Sequence, residues 1–383
     1  MEYDVIIIGA GPGGYVAAIR MAQYGLNVAL IEQAEVGGTC LNRGCIPTKT
    51  LLHTADVLSE AMHTAGVIAE GLSLDWQALR DRKQDVTKTL RGGIEDLLKA
   101  NKVELIRGQA FVQSGQEVTL KQPDGGQLTL HAENVVIATG SRPVVPRITG
   151  ADQEGVYTSD GLLQTMPKVS KLTVIGGGVI GMEFASIYAS FGTQVTVLEA
   201  MERILPPLDR ELSQNLSMIA KKRGIQIVTG AMVQEIKEDL TCRYVLKEQE
   251  QEVAGDAVLI AIGRAANTNG LFADRCMPDL ERGRIVVDKT GKTSVSHLYA
   301  IGDCCNGGPQ LAHAASAQGL AVAAHLAGKP CEINLELVPE LRGLQVDAHA
   351  VGKGELGDSQ VSGFRAGRHL SLIHIYRPLT PDL

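Results

Sequence analysis

Two cysteines five residues apart, Cys40 and Cys45, stand in the stretch GGTCLNRGCIPTK at residues 37–49. Thiols at such spacing can ligate a metal, fill a core, or exchange electrons through a disulfide. Zinc wants about four ligands, usually as two close pairs. Here the next cysteine is Cys242, while Cys304 and Cys305 are adjacent and far along the chain. That spacing ranks the redox reading above the metal and core readings. A bond between the two sulfurs adds a constraint. Five residues of regular helix rise about 7.5 Å, but a disulfide wants Cα atoms within roughly 4.4–6.8 Å. The pair should therefore straddle a distorted helix start, with IPTKTLLHTADVLSEAMHTAG continuing as the helix. The positive end of that helix would stabilise a thiolate.

The elements that must position such a pair are legible on either side of it. DVIIIGAGPGGYVAAIRMAQYGLNVALIE reads strand, turn, helix, strand, and Asp4–Ile8 is an apolar, β-branched run of the kind buried in a parallel sheet. Gly9, Gly11 and Gly14 form a G-x-G-x-x-G turn. The first glycine permits the tight turn, the second admits a pyrophosphate, and the third lets helix and strand pack closely. The pyrophosphate would sit on the helix N-terminus. Glu32 closes the second strand about 20 residues on, where an acid can bond a ribose hydroxyl. The pattern recurs in KLTVIGGGVIGMEFASIYASFGTQVTVLEA, with Gly176, Gly178, Gly181 and Glu199. A carboxylate at Glu199 suits a free 2′-hydroxyl and repels a 2′-phosphate, which favours NAD over NADP. Arg203 lies nearby and tempers that choice.

Three later stretches return to the same theme. NVVIATGSRP (134–143) and AVLIAIGRAANT (257–268) are strands running into glycine turns. HLYAIGDCCNGGPQLAHAASAQG (297–319) reads as a strand, then Gly302–Asp303, then a helix from about Gln310. Asp303 could bond a sugar-like chain. The expected organisation is α/β, with residues 1–145 as one unit, 146–270 as an inserted second unit, and 271–338 returning to the first. A long helical stretch is expected near 75–100 and short strands near 103–131.

Composition bounds the function. The 383 residues suggest two or three domains. At 44% hydrophobic and 21% charged, the balance is that of an ordinary globular protein. A net charge of −7 without any Lys/Arg run disfavours nucleic acid and acidic membrane surfaces. No apolar run approaches the roughly eighteen residues of a membrane span, and the start reads as a strand rather than a signal peptide. Cytoplasm is the expectation, where seven cysteines are poor structural staples.

Over about residues 1–338, in order, these motifs resemble the FAD-dependent pyridine nucleotide-disulfide oxidoreductases. The resemblance implies two Rossmann-like, three-layer dinucleotide-binding domains with parallel sheets, the NAD domain inserted in the FAD domain. It implies that Cys40 is the interchange thiol that attacks substrate and that Cys45 lies against the flavin, as the thiolate of a charge-transfer pair. Lys49 would sit by flavin N5 and pair with Glu183. Gly9, Gly11, Gly14, Glu32, Thr139, Gly140 and Asp303 would hold FAD, and Gly176, Gly178, Gly181 and Glu199 would hold NAD. Further cofactor contacts are expected at Ala110, Ser141, Val233, Gly263, Gln310 and His313, and no metal. Cys304 and Cys305 read as core fillers. The wording CLNRGCIPTK, Glu199 and QLAHAASAQG lie nearest to family members that oxidise dihydrolipoamide with NAD+. Such members take a small dithiol or the lipoyl domains of 2-oxoacid dehydrogenase or glycine cleavage complexes. A mercuric- or glutathione-reductase-like enzyme, or a non-catalytic FAD/NAD-binding fragment, are the alternatives.

The family also forms homodimers through a C-terminal interface domain carrying a His-Pro-Thr…Glu motif, and this sequence shows no such motif. Residues 339–383 show no sustained period of 2 or 3.6, and LSLIHIY is similar to translated sequencing-library adapter. The expectation is an aberrant tail following a frameshift near Pro339, in place of the interface domain, leaving lipoamide turnover impaired.

Overall fold

The first strand forms where four β-branched apolar side chains, Val5–Ile8, follow one another, and the other strands of the first sheet are laid beside it. A computed structural model describes residues 2–331 and 333–335; the expectation for the 339–383 tail lies outside the described residues. The chain opens with β1 (Tyr3–Ile8), α1 (Pro12–Gln23), β2 (Val28–Glu32), α2 (Gly38–Arg43), α3 (Cys45–His63) and α4 (Trp76–Ala100). Four strands follow, β3 (Glu104–Arg107), β4 (Gln109–Ser114), β5 (Glu117–Lys121) and β6 (Gln127–Ile137). A short β7 (Ser141–Pro143) leads out of this sheet.

The next stretch repeats the plan with β8 (Val156–Thr158), α5 (Ser159–Thr165), β9 (Lys171–Ile175), α6 (Val179–Ser190), β10 (Gln194–Glu199), α7 (Arg210–Lys222) and β11 (Gln226–Thr229). A meander of β12 (Met232–Ile236), β13 (Cys242–Leu246) and β14 (Gln249–Val253) precedes β15 (Ala257–Ile260). The return runs through β16 (Arg264–Ala266), β17 (Leu280–Glu281), β18 (Arg284–Ile285) and β19 (Leu298–Ala300) to α8 (Ala312–Leu326).

Two parallel sheets result. The first has β1 between β2 and β6, with Ile6 opposite Ala29 and Val135, β3 on the outer side of β2, and β19 parallel to β6. The second has the order β11-β10-β9-β15-β8, all parallel. Helices must cover both faces of such sheets, so their strands read as apolar runs. Val5, Ile6, Ile7, Leu30, Val136 and Ile137 are buried accordingly, as are Val174, Val197 and Leu259 in the second sheet. The long β6 serves twice. Its first half pairs antiparallel with β5, and its last residues, Val135–Ile137, lie between β1 and β19.

Two contacts join these parts. The strands that leave and re-enter the first sheet, β7 and β16, pair antiparallel, with Ala265 opposite Arg142. A shared core also forms where α3 and α4 meet α5 and α6, through Leu51, Leu79, Leu162, Met182 and Tyr188. Trp76, at the start of α4, stacks edge-on against Phe191 at 5.6 Å. Asp75 caps α4 by accepting from the backbone N–H groups of Gln77 and Ala78. Back on the first sheet, α8 lies on α1 through small residues; a Cβ at Gly319 would lie 2.6 Å from the Gly13 carbonyl oxygen. That helix begins at Ala312 rather than at Gln310, because Leu311 is still extended (φ −130°, ψ 138°).

Candidate active site

The cysteines fall on either side of a helix break. Cys40 lies in α2, a six-residue helix, and Cys45 is the first residue of the nineteen-residue α3. Gly44 separates them at φ −152°, ψ −113°, which is neither helix nor strand. This is the interruption that a bond between positions 40 and 45 requires. The two are free thiols in this structure, close enough to share a hydrogen bond. That bond polarises the pair. It holds the Cys45 thiol down at about 7, aided by the Lys49 charge one turn further along α3 and opposed by burial and by Glu183. The same bond pushes Cys40 well above the ordinary thiol range, with burial adding to it. Of the two thiols, Cys45, at the N-terminus of α3, is thus the more readily ionised.

Lys49 and Glu183 come together less closely than expected. They project from α3 and α6, which pack on one another, but among the described residues they make no direct ion pair. Glu183 is raised by burial, and Lys49 offsets part of that through space. Lys49 itself is exposed. The expected pairing is thus a longer-range interaction, because the packing of the two helices, which local sequence does not encode, sets the gap.

The redox segment rests directly on the first glycine turn. The Gly37 N–H donates to the Ala10 carbonyl at 2.8 Å, and a Cβ at Gly38 would lie 2.6 Å from the Gly11 Cα. Within the turn, Gly14 is indispensable for packing, since a Cβ there would meet the Gly9 carbonyl oxygen at 1.8 Å. Its counterpart Gly181 would meet the Gly176 oxygen at 2.0 Å. The strand-end acids match as closely. Glu32, 9% exposed, accepts from the N–H groups of Ala10 (2.7 Å) and Ala34 (2.8 Å). Glu199, 7% exposed, accepts from Gly177 (2.6 Å) and Met201 (2.7 Å). Arg203 donates to the Pro206 carbonyl at 2.8 Å.

Other predicted positions gather at the junction of the sheets. Thr139 donates to the Asn267 carbonyl at 2.8 Å, and the Asn267 side chain returns a bond to the Thr139 carbonyl at 3.0 Å. Ser141 donates to Asp303 at 2.6 Å, and Arg264 donates to the Ser141 hydroxyl at 2.8 Å. Gln318 on α8 accepts from the Gly302 N–H and donates to the Gly307 carbonyl, shaping the loop around Asp303. His313 lies in the first turn of α8. Ala110 stands apart, its side chain buried in the core beneath the first sheet; it can offer a ligand backbone only. Val233 on β12 packs against the core of the second unit. Cys304 and Cys305 are buried in the first core, and burial pushes Cys304 up to about 12, which leaves it an inert thiol. Sequence reasoning passed over Arg264, Asn267 and Gln318. The signal for the first two was the polar wording of GRAANT after a buried strand.

The residues fit two dinucleotides. At Gly178 a Cβ would meet nothing within 4 Å, and at Gly11 its nearest neighbour would be 3.9 Å away. The second glycine of each turn thus borders open space at a helix N-terminus, where a pyrophosphate docks. Gly140 and Gly263 border open space as well. The Gln310 side-chain N–H group is buried with no partner, a donor awaiting an acceptor.

Twin dinucleotide turns with a polarised dithiol seated on the first define a class, the flavin- and nicotinamide-dependent disulfide oxidoreductases. Residues 3–319 match the pyridine nucleotide-disulphide oxidoreductase family, and the chain belongs to it. It is 38% identical to a dihydrolipoyl dehydrogenase of Staphylococcus aureus over 362 residues, 93% of this chain and 76% of that protein. It is 41% identical to a dihydrolipoyl dehydrogenase of Acholeplasma laidlawii over 332 residues, 85% of this chain and 96% of that protein. The fold matches the HOCl-induced flavoprotein disulfide reductase RclA from Escherichia coli with a TM-score of 0.74 and 35% identity, covering 86% of this chain and 72% of that one. Among the described residues, no helix is long and apolar enough to cross a membrane.

Proposed function

We propose that this protein oxidises dihydrolipoamide to lipoamide with NAD+, through a Cys40–Cys45 disulfide and bound FAD. The observation that carries the reading is the placement of the pair, Cys40 in α2 and Cys45 opening α3 across the Gly44 break, on a segment seated on the first glycine turn; the lowering of Cys45 and raising of Cys40 fit Cys45 as the thiolate and Cys40 as the exchanging thiol. The dihydrolipoyl dehydrogenase names of its relatives point to the dithiol.

The chemistry follows from the thiols. A substrate thiolate attacks Cys40 Sγ of the disulfide, and the Cys40–Cys45 bond breaks. Cys45 leaves as a thiolate, stabilised by the α3 N-terminus and Lys49. The second substrate thiol, as its thiolate, then attacks its own sulfur bonded to Cys40, which releases oxidised lipoamide. Cys40 takes up one proton and donates it to the Cys45 thiolate; the other substrate proton goes to solvent. This end state is the hydrogen-bonded dithiol that the structure holds. FAD, bound at the first turn, supplies a two-electron relay from this dithiol to NAD+.

The turn of Gly9, Gly11 and Gly14, with Glu32, Thr139, Gly140, Ser141, Gln310 and Asp303, suits FAD, and we assign residues 1–145 and 271–338 to its domain. Gly176, Gly178, Gly181 and Glu199 suit NAD, in residues 146–270. Arg203, the nearby cation that could compensate a 2′-phosphate, donates to the Pro206 carbonyl, while Glu199 holds the strand end. Lipoyl domains of 2-oxoacid dehydrogenase or glycine cleavage complexes are the proposed partners, a homodimer the proposed assembly, and cytoplasm the proposed location.

The test is an anaerobic titration of FAD-loaded protein with dihydrolipoamide, followed by NAD+ or NADP+. Reduction should take two electrons per chain, and NAD+ should reoxidise the product at least about tenfold faster, given the Glu199 carboxylate. Faster turnover of glutathione disulfide or Hg(II) with NADPH would place the protein with the other reductases of the family.

A further inference from the structure

Arg264 is a charged side chain placed deep at the junction, with only 12% of it exposed. Its Nε donates to the Ser141 hydroxyl at 2.8 Å and its Nη2 to the Ser141 carbonyl at 2.7 Å. The same Nη2 reaches the Thr39 hydroxyl at 3.4 Å, and Nη1 lies 3.9 Å from the Asp160 carboxylate. These partners belong to different parts. Ser141 is on β7, the strand leaving the first sheet, and passes the network on to Asp303. Asp160 is in the first turn of α5 in the second unit. Thr39 immediately precedes Cys40. A buried guanidinium is costly unless its fork is matched, and here the fork is spread over three segments.

Thr39 matters because α2 is six residues long, too short to hold its own position. Its N-cap, Gly37, offers no side-chain bond, and its internal clamp is Asn42, which donates to the Val36 and Gly38 carbonyls. Gly37 and Gly38 seat its start on the first glycine turn, and Thr39 gives it a second anchor beside Cys40, across the Gly44 break from Cys45. We propose that Arg264 is a positioning residue for the redox reaction: it ties the Cys40 segment to the junction of the two dinucleotide units, and so sets the register of the two thiols. This rests on the thiol-exchange reading above, though not on which dithiol is the substrate.

The test uses FAD-loaded protein and the variants R264M, R264K and T39V. Two readouts need no natural substrate. One is the pH midpoint of the Cys45 thiolate after two-electron reduction, followed by its long-wavelength absorbance; Cys45 is faced by Cys40, Lys49 and Glu183. The other is the rate of reduction by dithiothreitol. In R264M the midpoint should rise and the dithiothreitol rate should fall by about tenfold or more, as for reacting groups displaced by a fraction of an ångström. NADH oxidation by ferricyanide, which does not use the thiols, should stay within about twofold. R264K should recover part of the loss, and T39V should lose about threefold, since it removes one weak bond. Unchanged midpoint and dithiothreitol rate in R264M would overturn the proposal. So would FAD loss with equal failure of both reactions in R264M and R264K beside a wild-type T39V, for Arg264 would then serve the junction alone. Should R264M not fold, T39V at the wild-type midpoint and rate overturns it. Absent dihydrolipoamide turnover with these shifts present would count against the substrate and leave the positioning role standing.

Discussion

The two dinucleotide units use the same backbone chemistry at their strand ends and differ in what lies between the second and third strands. Gly9 and Gly176 both turn at positive φ, 104° and 109°. Glu32 and Glu199 each bridge two backbone N–H groups, one in the glycine turn and one just past the strand end. In the second unit the chain then goes from β10 to β11 through α7. In the first, the passage from β2 to β3 contains α2, α3 and α4, with both redox thiols at the α2–α3 break. Holding a dinucleotide thus takes a local device that can be repeated, whereas the thiol chemistry is a single insertion built on top of one copy.

The largest effects should come from breaking the shared device. Gly14→Ala and Gly181→Ala each drive a Cβ into a carbonyl oxygen within 2.0 Å. Each should cost about 3 kcal/mol, at the upper end of overpacking losses, read as a fall in urea midpoint. Gly14→Ala should also release FAD, while Gly181→Ala should keep it. Equal FAD retention in both would undo the assignment of cofactors to units.

The second glycines make the complementary pair. Gly11 and Gly178 have φ of −73° and −74°, which alanine adopts freely, and open space where the Cβ would go. Gly11→Ala and Gly178→Ala should melt as wild type. Gly178→Ala should raise the KM for NADH by about tenfold through lost contact with the pyrophosphate, and Gly11→Ala should do the same to FAD affinity. A stability loss without a binding loss would show that these turns face protein.

Smaller shifts should sharpen what distinguishes the first unit. Lys49 lowers Cys45 and Glu183 raises it. Lys49→Met should therefore move the thiolate midpoint up and slow alkylation of reduced protein at pH 7 by about fivefold, since the thiolate is the nucleophile. Glu183→Gln should move the midpoint down. Opposite signs would contradict the charge arrangement. The smallest effect belongs to Glu199→Ala, which should reduce the preference for NADH over NADPH several-fold; an unchanged ratio would mean that other groups set it.

The pattern of what could be read from sequence follows the range of the interactions. The strand run at residues 4–8, both glycine turns and both strand-end acids belong to one strand–turn–helix–strand unit within about 30 residues, the acids reaching back 22 residues to the turn, and the structure has them where the spacing predicts. The break between Cys40 and Cys45 was legible too, because disulfide geometry excludes a continuous helix. The Lys49–Glu183 gap was not, since it is set by the packing of α3 on α6. Arg264 was invisible for the same reason: its partners Ser141 and Thr39 are 123 and 225 residues away. Gln310 and Ala110 were named by resemblance alone, and the structure gives the first a buried, partnerless donor and the second only a place in the core.

The central claim is that Cys45, at the start of α3, is the thiolate, and that Cys40 carries the proton. It is tested by following the long-wavelength absorbance of a thiolate against oxidised flavin from pH 5 to 9, in two-electron-reduced wild type and in FAD-loaded Cys40→Ser and Cys45→Ser without added reductant, since neither variant has a disulfide to reduce. The absorbance should rise with pH through about 7 in wild type, as Cys45 loses its proton. It should persist in Cys40→Ser, whose hydroxyl can still donate to Cys45, and it should vanish in Cys45→Ser. A band that survives in Cys45→Ser and disappears in Cys40→Ser would reverse the roles of the two thiols and contradict the account.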